Sequence, residues 1–280
     1  LTTALLAAVY GIFAAMSWGT GDFSGGLATR RGTIYQVIVV VQAVGLGVIV
    51  ALTVALGEPV PTGQVLFLGA LTGIAGAFGL ALLYQALAVG RMGVVAPVTS
   101  IVAGVIPVLV GVGANGLPGG LTLVGFALAL LAVWWISRAD AVSHVQLGEL
   151  ALPVAAGVTI GVFSVLIAAA TTTSLGWPLL MARVTSTLVL LLLAIALQKS
   201  WRPARAALPL VLLAGVLDAS GNIFFALAAQ IGRLDTAAVV SGLYPAFTAL
   251  LAWGVLKERL TGRQWAGLVL AVTAVMLISV

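Results

Sequence analysis

Cysteine is absent from the chain and histidine occurs once, at His144. Without thiols there are no disulfides and no thiolate metal sites, and one imidazole cannot build a histidine-rich metal centre. Charge is scarce too, at 7% of residues. A soluble domain carries about 25%, so these few charges could not cover a water-facing surface. What is present is apolar: 62% of the 280 residues are hydrophobic and the mean hydropathy is +1.26. The apolar residues fall into runs of roughly twenty, the length of a bilayer-spanning helix. No period-2 alternation suggests a barrel, so the expected fold class is an all-α integral membrane protein. The net charge of +5 would point to nucleic acid in a soluble protein. Here it reads as basic loops beside an anionic leaflet, with the lipid bilayer as the partner and no nucleic acid.

Ten spans are expected, at 3–24, 33–56, 62–89, 92–114, 120–137, 148–170, 176–198, 206–230, 234–254 and 262–280. The connections carry breakers or charge, as in "LATRRGT", "LGEPVPTG", "ANGLPGG" and "QKSWRPAR". The first run has no basic leader and continues into the multi-span body, so it reads as a span and not as a cleaved signal. Loops after odd-numbered spans hold Arg30, Arg31, Arg91, Arg138, Lys199, Arg202, Arg205, Lys257, Arg259 and Arg263, whereas the opposite loops hold Arg233 beside Asp235. The positive-inside rule places the first set in the cytoplasm and both termini outside. Trp134, Trp135, Trp177, Trp201, Trp253 and Trp265 sit at span ends, as interfacial anchors do.

The chain also resembles itself. Residues 69–138 laid over 211–280 share 18 identities, among them Gly73/Gly215, Gly79/Gly221, Arg91/Arg233, Gly125/Gly267 and Ser137/Ser279. The expected domains are a five-helix repeat at 1–138, a connecting loop at 139–147 and a second five-helix repeat at 148–280. Five is odd, so the second copy enters the membrane inverted. Inverted repeats around a central cavity are a transporter architecture, with the substrate held near the midplane between them.

Three stretches resemble a known family. "AMSWGTGDF" (15–23) is similar to the first-helix signature of the drug/metabolite transporter superfamily, EamA type. "ALAVGRMGVVAPVTSIVAGVIPVL" (86–109) resembles that family's junction between the third and fourth helices. "GRLDTAAVVSGLYPAFTALLAWGVLKERLTGRQWAGLVLAVTAVMLIS" (232–279) is the closest match. The first half departs at "ANGLPGG" and at Ala103, which stands where the second copy has Pro245. The resemblance implies a ten-helix basket that exports small metabolites by alternating access. Family members export amino acids, some of them aromatic, which implies the bacterial inner membrane as the location.

Ionisable groups at membrane depth are costly and usually functional. Arg183 should lie roughly 10 Å in from the outer edge, counting about 1.5 Å per residue from the start of its span. Asp218 should lie roughly 18 Å from the inner edge, which is about 12 Å from the outer. Equal depths predict that the two pair. Two readings stay open. The pair is a structural lock between two helices, or Arg183 receives a substrate carboxylate and Asp218 an amino group or a proton. Asn222 shares the face of Asp218, one turn on. Ser241 and Tyr244 flank Pro245, which can open the backbone, and Ser100 with Thr99 forms the analogous group after Pro97. Trp18 is a candidate wall for a planar substrate, with core packing as the other reading. Tyr84 and Gln85 complete the candidate substrate-binding set, with Gln85 and Gln42 equally explained as interhelical hydrogen bonds. Asp22 should face water or an arginine at the cytoplasmic end of the first span. "GVGANG" (111–116) spells a dinucleotide fingerprint but follows no strand. "GALTG" (69–73) offers small residues for close helix packing.

A membrane enzyme would need clustered carboxylates and histidines or a nucleophile with its base, and the chain holds no such set, so neither catalysis nor a cofactor is expected. A carrier of phosphorylated or nucleotide-linked sugars is the rival transporter. It would want several cavity cations, where the sequence offers Arg183. Both repeats lie on one chain, so a functional monomer is expected.

Overall fold

The computed structural model describes residues 2–89, 92–137, 150–257 and 259–279. Side chains at Tyr84, 87–89, 92–94, 96 and 97 are also outside the described set, as are His144 and the connecting loop at 139–147. The helices are α1 (Thr3–Thr29), α2 (Ile34–Leu56), α3 (Gly63–Val89), α4 (Met92–Asn115), α5 (Gly120–Ser137), α6 (Ala151–Ala170), α7 (Gly176–Ala196), α8 (Leu208–Ile231), α9 (Leu234–Ser241), α10 (Tyr244–Leu256) and α11 (Gly262–Ile278). Among the described residues nine helical stretches are long and apolar enough to cross a bilayer, α9 and α10 together counting as one, and α11 is a shorter apolar helix.

One expectation is sharpened and one is corrected. The ninth span, with a proline expected to open its backbone, breaks after Ser241 and restarts at Tyr244. Pro245 has no N–H to donate to the Ser241 carbonyl, and its ring crowds that carbonyl, so the helix cannot run through. The first span is longer than its apolar run suggested, ending at Thr29. Small residues such as Ser24, Gly25 and Ala28 are buried there, which draws the last turns into the bundle.

The buried faces are built from small residues and the lipid face from large ones. In α1 the buried set is Ala, Gly and Ser throughout, while Phe67, Leu109, Leu192 and Val269 are more than 60% exposed. That inversion follows from the solvent. Lipid is as apolar as leucine, so helices associate where backbones can approach closely. The "GALTG" stretch does this. A Cβ on Gly69 would stand 2.7 Å from the Pro178 carbonyl oxygen, and one on Gly73 2.3 Å from that of Ala182, so α3 lies directly on α7. Further contacts join α1 with α8, α3 with α6, α5 with α11, α4 with α6, α2 with α7 and α8, and α1 with α9 and α10.

Polar contacts at the ends show which loops share a side. Arg31 donates to the Ala206 carbonyl and Gln264 to that of Ile136. At the other end Arg233 donates to the carbonyls of Asn115 and Gly116. Among the described residues the basic loops after α1, α7 and α10 therefore lie at the end opposite Arg233. Glu58, in the loop after α2, accepts hydrogen bonds from the backbone N–H groups of Leu175 and Gly176 and from the Ser174 hydroxyl. It thus caps the start of α7 with a full negative charge at the positive end of the helix. Burial pushes this carboxyl up, but those hydrogen bonds outweigh it and hold it below its ordinary value of 4.5. A group depressed on folding adds stability above its unfolded value, and that stability is lost as pH falls through the folded one. Glu58→Ala should cost about 1 kcal/mol at pH 7, read as a lower melting temperature in detergent. The gap from wild type should close as the pH falls below 4.5. A gap independent of pH would show that the carboxylate charge is not what caps α7.

Candidate functional site

A cavity of about 190 Å³ lies inside the bundle, with walls from both halves of the chain. Helix α7 is fixed at its start by Glu58 and along its length by Gly69 and Gly73, and it carries Arg183 inward. The guanidinium is buried, at 4% exposure. It rests over Gly45 of α2, where a Cβ would come within 3.2 Å of it. From there Nη1 donates to the Gln42 side chain, and Nη2 reaches Asp218 Oδ2 at 2.5 Å. The expected pair therefore forms, with Gln42 as a third member. The two partners differ in access. The Arg183 side chain is 5% exposed and that of Asp218 37%. What the cavity meets is the carboxylate.

One turn along α8, Asn222 Oδ1 accepts from Trp18 Nε1 at 3.2 Å. The indole lies over Gly221, whose missing side chain makes room for it, and packs against Phe225. Trp18 is thus held by a hydrogen bond and by its ring face, and lines the cavity as an aromatic wall with Phe163. Across the cavity the Ser100 and Tyr244 hydroxyls hydrogen-bond at 2.7 Å. Tyr244 opens α10 just past the helix break, and Ser241 closes α9 just before it. The break sets both side chains on the cavity.

The structure brings Trp18, Ser100, Arg183, Asp218, Asn222, Ser241 and Tyr244 to one cavity. It does not bring Gln85, whose side chain is exposed on α3. Gly76, Leu80 and Leu83 carry the cavity face of that helix, and a residue two after Leu83 is turned about 200° around the axis. The Tyr84 side chain lies outside the described residues.

Two residues come to the site that sequence reasoning placed elsewhere. Gln42 lines the cavity as well as bridging helices. Asp22 is exposed, as expected, but onto the cavity, where it faces Asp218 and Tyr244, and among the described residues no arginine pairs with it. The longer α1 explains this. Asp22 stands seven residues before Thr29, which is about 10 Å inside the helix end. Among the described residues no hydrogen-bond donor or cation is within bonding distance of its carboxylate. The signal that could have found it is the small-residue run after it, which marks a buried helix and not a loop. Among the described residues no group of three His, Cys, Asp or Glu side chains is arranged to hold a metal ion.

Known proteins give the following likenesses. Residues 146–280 match the model of the EamA-like transporter family, a match that supports a general membrane transporter role. A solved structure, titled only a crystal structure of a protein, superposes with a TM-score of 0.84 over 98% of this chain and 98% of its own. At 15% identity that likeness speaks for the fold. No curated protein matches the sequence.

Proposed function

We propose that the protein is a secondary transporter that moves small metabolites carrying a cationic nitrogen, amino acids foremost, out of the cell by alternating access. The observation that carries this reading is the charge around the cavity. Asp218 is held by Arg183, Asp22 has no such partner among the described residues, and both carboxylates face the cavity. A charge at this depth is costly without a counter-charge, and a substrate ammonium supplies one. Arg183 positions Asp218, and Trp18 gives an aromatic surface for a cation or a planar side chain. The cavity is smaller than the roughly 300–1,000 Å³ of drug-sized sites, which suits an amino acid.

The rival substrates are phosphorylated or nucleotide-linked sugars. These need cations free to meet phosphate. Arg183 is buried and already engaged by Asp218 and Gln42, which weighs against them.

Alternating access draws support from pairs of contacts that repeat with one shift. Gly125 packs against Ala274 and Ile278, and Gly267 against Ala132 and Ile136. Gly79 meets Ile160 while Gly221 meets Trp18. Gly19 lies on the backbone at 244–248 and Gly161 on residues 103–106. In each case both members move by 142 positions or close to it. Such self-complementary contacts are what a two-fold axis generates. With five spans per half, that axis lies in the membrane plane. Both halves contribute to the cavity, which favours a monomer as the working unit. The basic end of the bundle is taken as cytoplasmic.

The test is uptake of a labelled amino-acid panel into proteoliposomes, with and without a pH gradient. Saturable uptake of some members is expected, and stimulation by the gradient would mark proton coupling. Asp22→Asn should reduce uptake about ten- to a hundred-fold, the range for one charge-assisted hydrogen bond, in protein that melts like wild type. Folded protein that takes up no amino acid would overturn the substrate class. An Asp22→Asn variant that transports normally would overturn the role of that carboxylate.

A further inference from the structure

The central cavity is not the whole of the space between the helices. A second cavity of about 120 Å³ lies between α4, α5 and α9. Ser100, Gly104, Ala238 and Gly242 line both. Beyond that threshold the walls are apolar: Ile101, Val105, Val108, Phe126, Leu130 and Val133. Among the described residues Ser100 is the one polar side chain lining it, and its hydroxyl is engaged by Tyr244 at the threshold.

We propose that this side cavity is an apolar subsite of the transport site, which takes the aliphatic or aromatic end of the substrate while its charged end stays with Asp22 and Asp218. The proposal rests on the transport reading above and adds to it the part of the molecule that decides selectivity.

Three observations carry it. The doorway is built from absent side chains. A Cβ on Gly104 would meet nothing within 4 Å, so this glycine is not there to let helices touch, unlike Gly73 or Gly157. The helix break before Tyr244 then leaves only Ala238 and Gly242 on the opposite jamb. Second, the polarity is graded. Carboxylates, Asn222 and hydroxyls line the central cavity, and hydrocarbon lines the side one. Third, the size fits: a dry cavity of about 150 Å³ with such walls takes benzene. Continuity with the polar cavity favours the tail of the same molecule as occupant over a lipid chain, although Val105, Leu109 and Leu130 form the outer wall on the lipid side.

Each methylene moved from water into such a pocket is worth about four-fold in affinity. The test is competition by alanine, valine, leucine and phenylalanine against uptake of a labelled substrate in proteoliposomes. Wild type, Gly104→Ala and Gly104→Leu are compared. A Cβ at Gly104 meets no atom within 4 Å, so Gly104→Ala should fold, and the melting temperature checks both variants. Wild type should favour leucine over alanine by more than ten-fold, and Gly104→Ala, with a narrower doorway, by less. Gly104→Leu, with its doorway plugged, should bring that ratio below about three-fold while alanine competes as before. Parallel losses for every competitor in Gly104→Leu would overturn the subsite, as would a wild-type profile that is flat with side-chain size, the result expected if a lipid chain fills the pocket. Absence of uptake of every member by folded wild-type protein would overturn the transport reading and the subsite with it.

Discussion

Arg183→Ala is expected to lower the stability of the purified protein by about 3 kcal/mol, the lower end of the range for breaking a buried ion pair. The cost does not come from a lost attraction alone. Without the guanidinium, the Asp218 carboxylate and the Gln42 amide oxygen are left in the bilayer core with no donor. The lower end applies because Asp218 keeps access to the cavity, so part of its charge stays hydrated. Asp218→Asn should be milder, since an amide oxygen still accepts from Arg183. The charge-free double variant Arg183→Met with Asp218→Leu should regain most of the stability, as buried pairs replaced by apolar groups often do, without regaining transport. Thermal melting followed by tryptophan fluorescence separates the three. If Arg183→Ala melts at the wild-type temperature, the pair does not hold α7 to α8. The guanidinium is then free to serve substrate directly.

Gly73→Ala should be nearly as damaging, by about 3 kcal/mol, the upper end for adding a methyl group to a packed interior. Its new Cβ would lie 2.3 Å from the Ala182 carbonyl oxygen and 2.9 Å from the Thr185 Cβ, so α3 and α7 must part. Backbone on both sides leaves no flexible side chain to yield. Arg183 follows Ala182 directly, so the same shift should loosen its contact with Asp218 and lower transport. Gly215→Ala, with a new Cβ 2.6 Å from that of Val44 on α2, should behave in the same way. Gly104→Ala is the control. It gains helix propensity of up to about 1 kcal/mol and meets no atom. Equal melting of Gly73→Ala and Gly104→Ala would show that the α3–α7 crossing is not tight.

How much of this was legible beforehand depends on how local the signal is. Spans announce themselves through runs of apolar residues, and the starts and ends of α2, α3, α4 and α5 fall within a residue or so of the expected positions. Loop charge marks the common end of the odd-numbered connections. The depth of Arg183 and Asp218 follows from counting, and their contact from equal depth. None of these needs a partner helix to be known. Asp22 was misread because the end of α1 is decided by burial of Ser24, Gly25 and Ala28 against neighbours. No window of sequence contains those neighbours. The sequence left Gln85 between a cavity role and a helix contact because depth says nothing of rotation, and about 200° separates a cavity face from an outer one.

The sequence alone determined that this is a helical membrane protein with a strongly basic end, few buried charges and a break near Pro245. Hydrophobic run length, charge placement and proline chemistry act on the chain locally. Only the tertiary structure decided that Asp22 joins Asp218 and Arg183 around one cavity, that Gln42 completes the pair, and that a second, apolar cavity opens beside Gly104. Those facts depend on helix rotation and crossing, which small residues far apart in the chain set together.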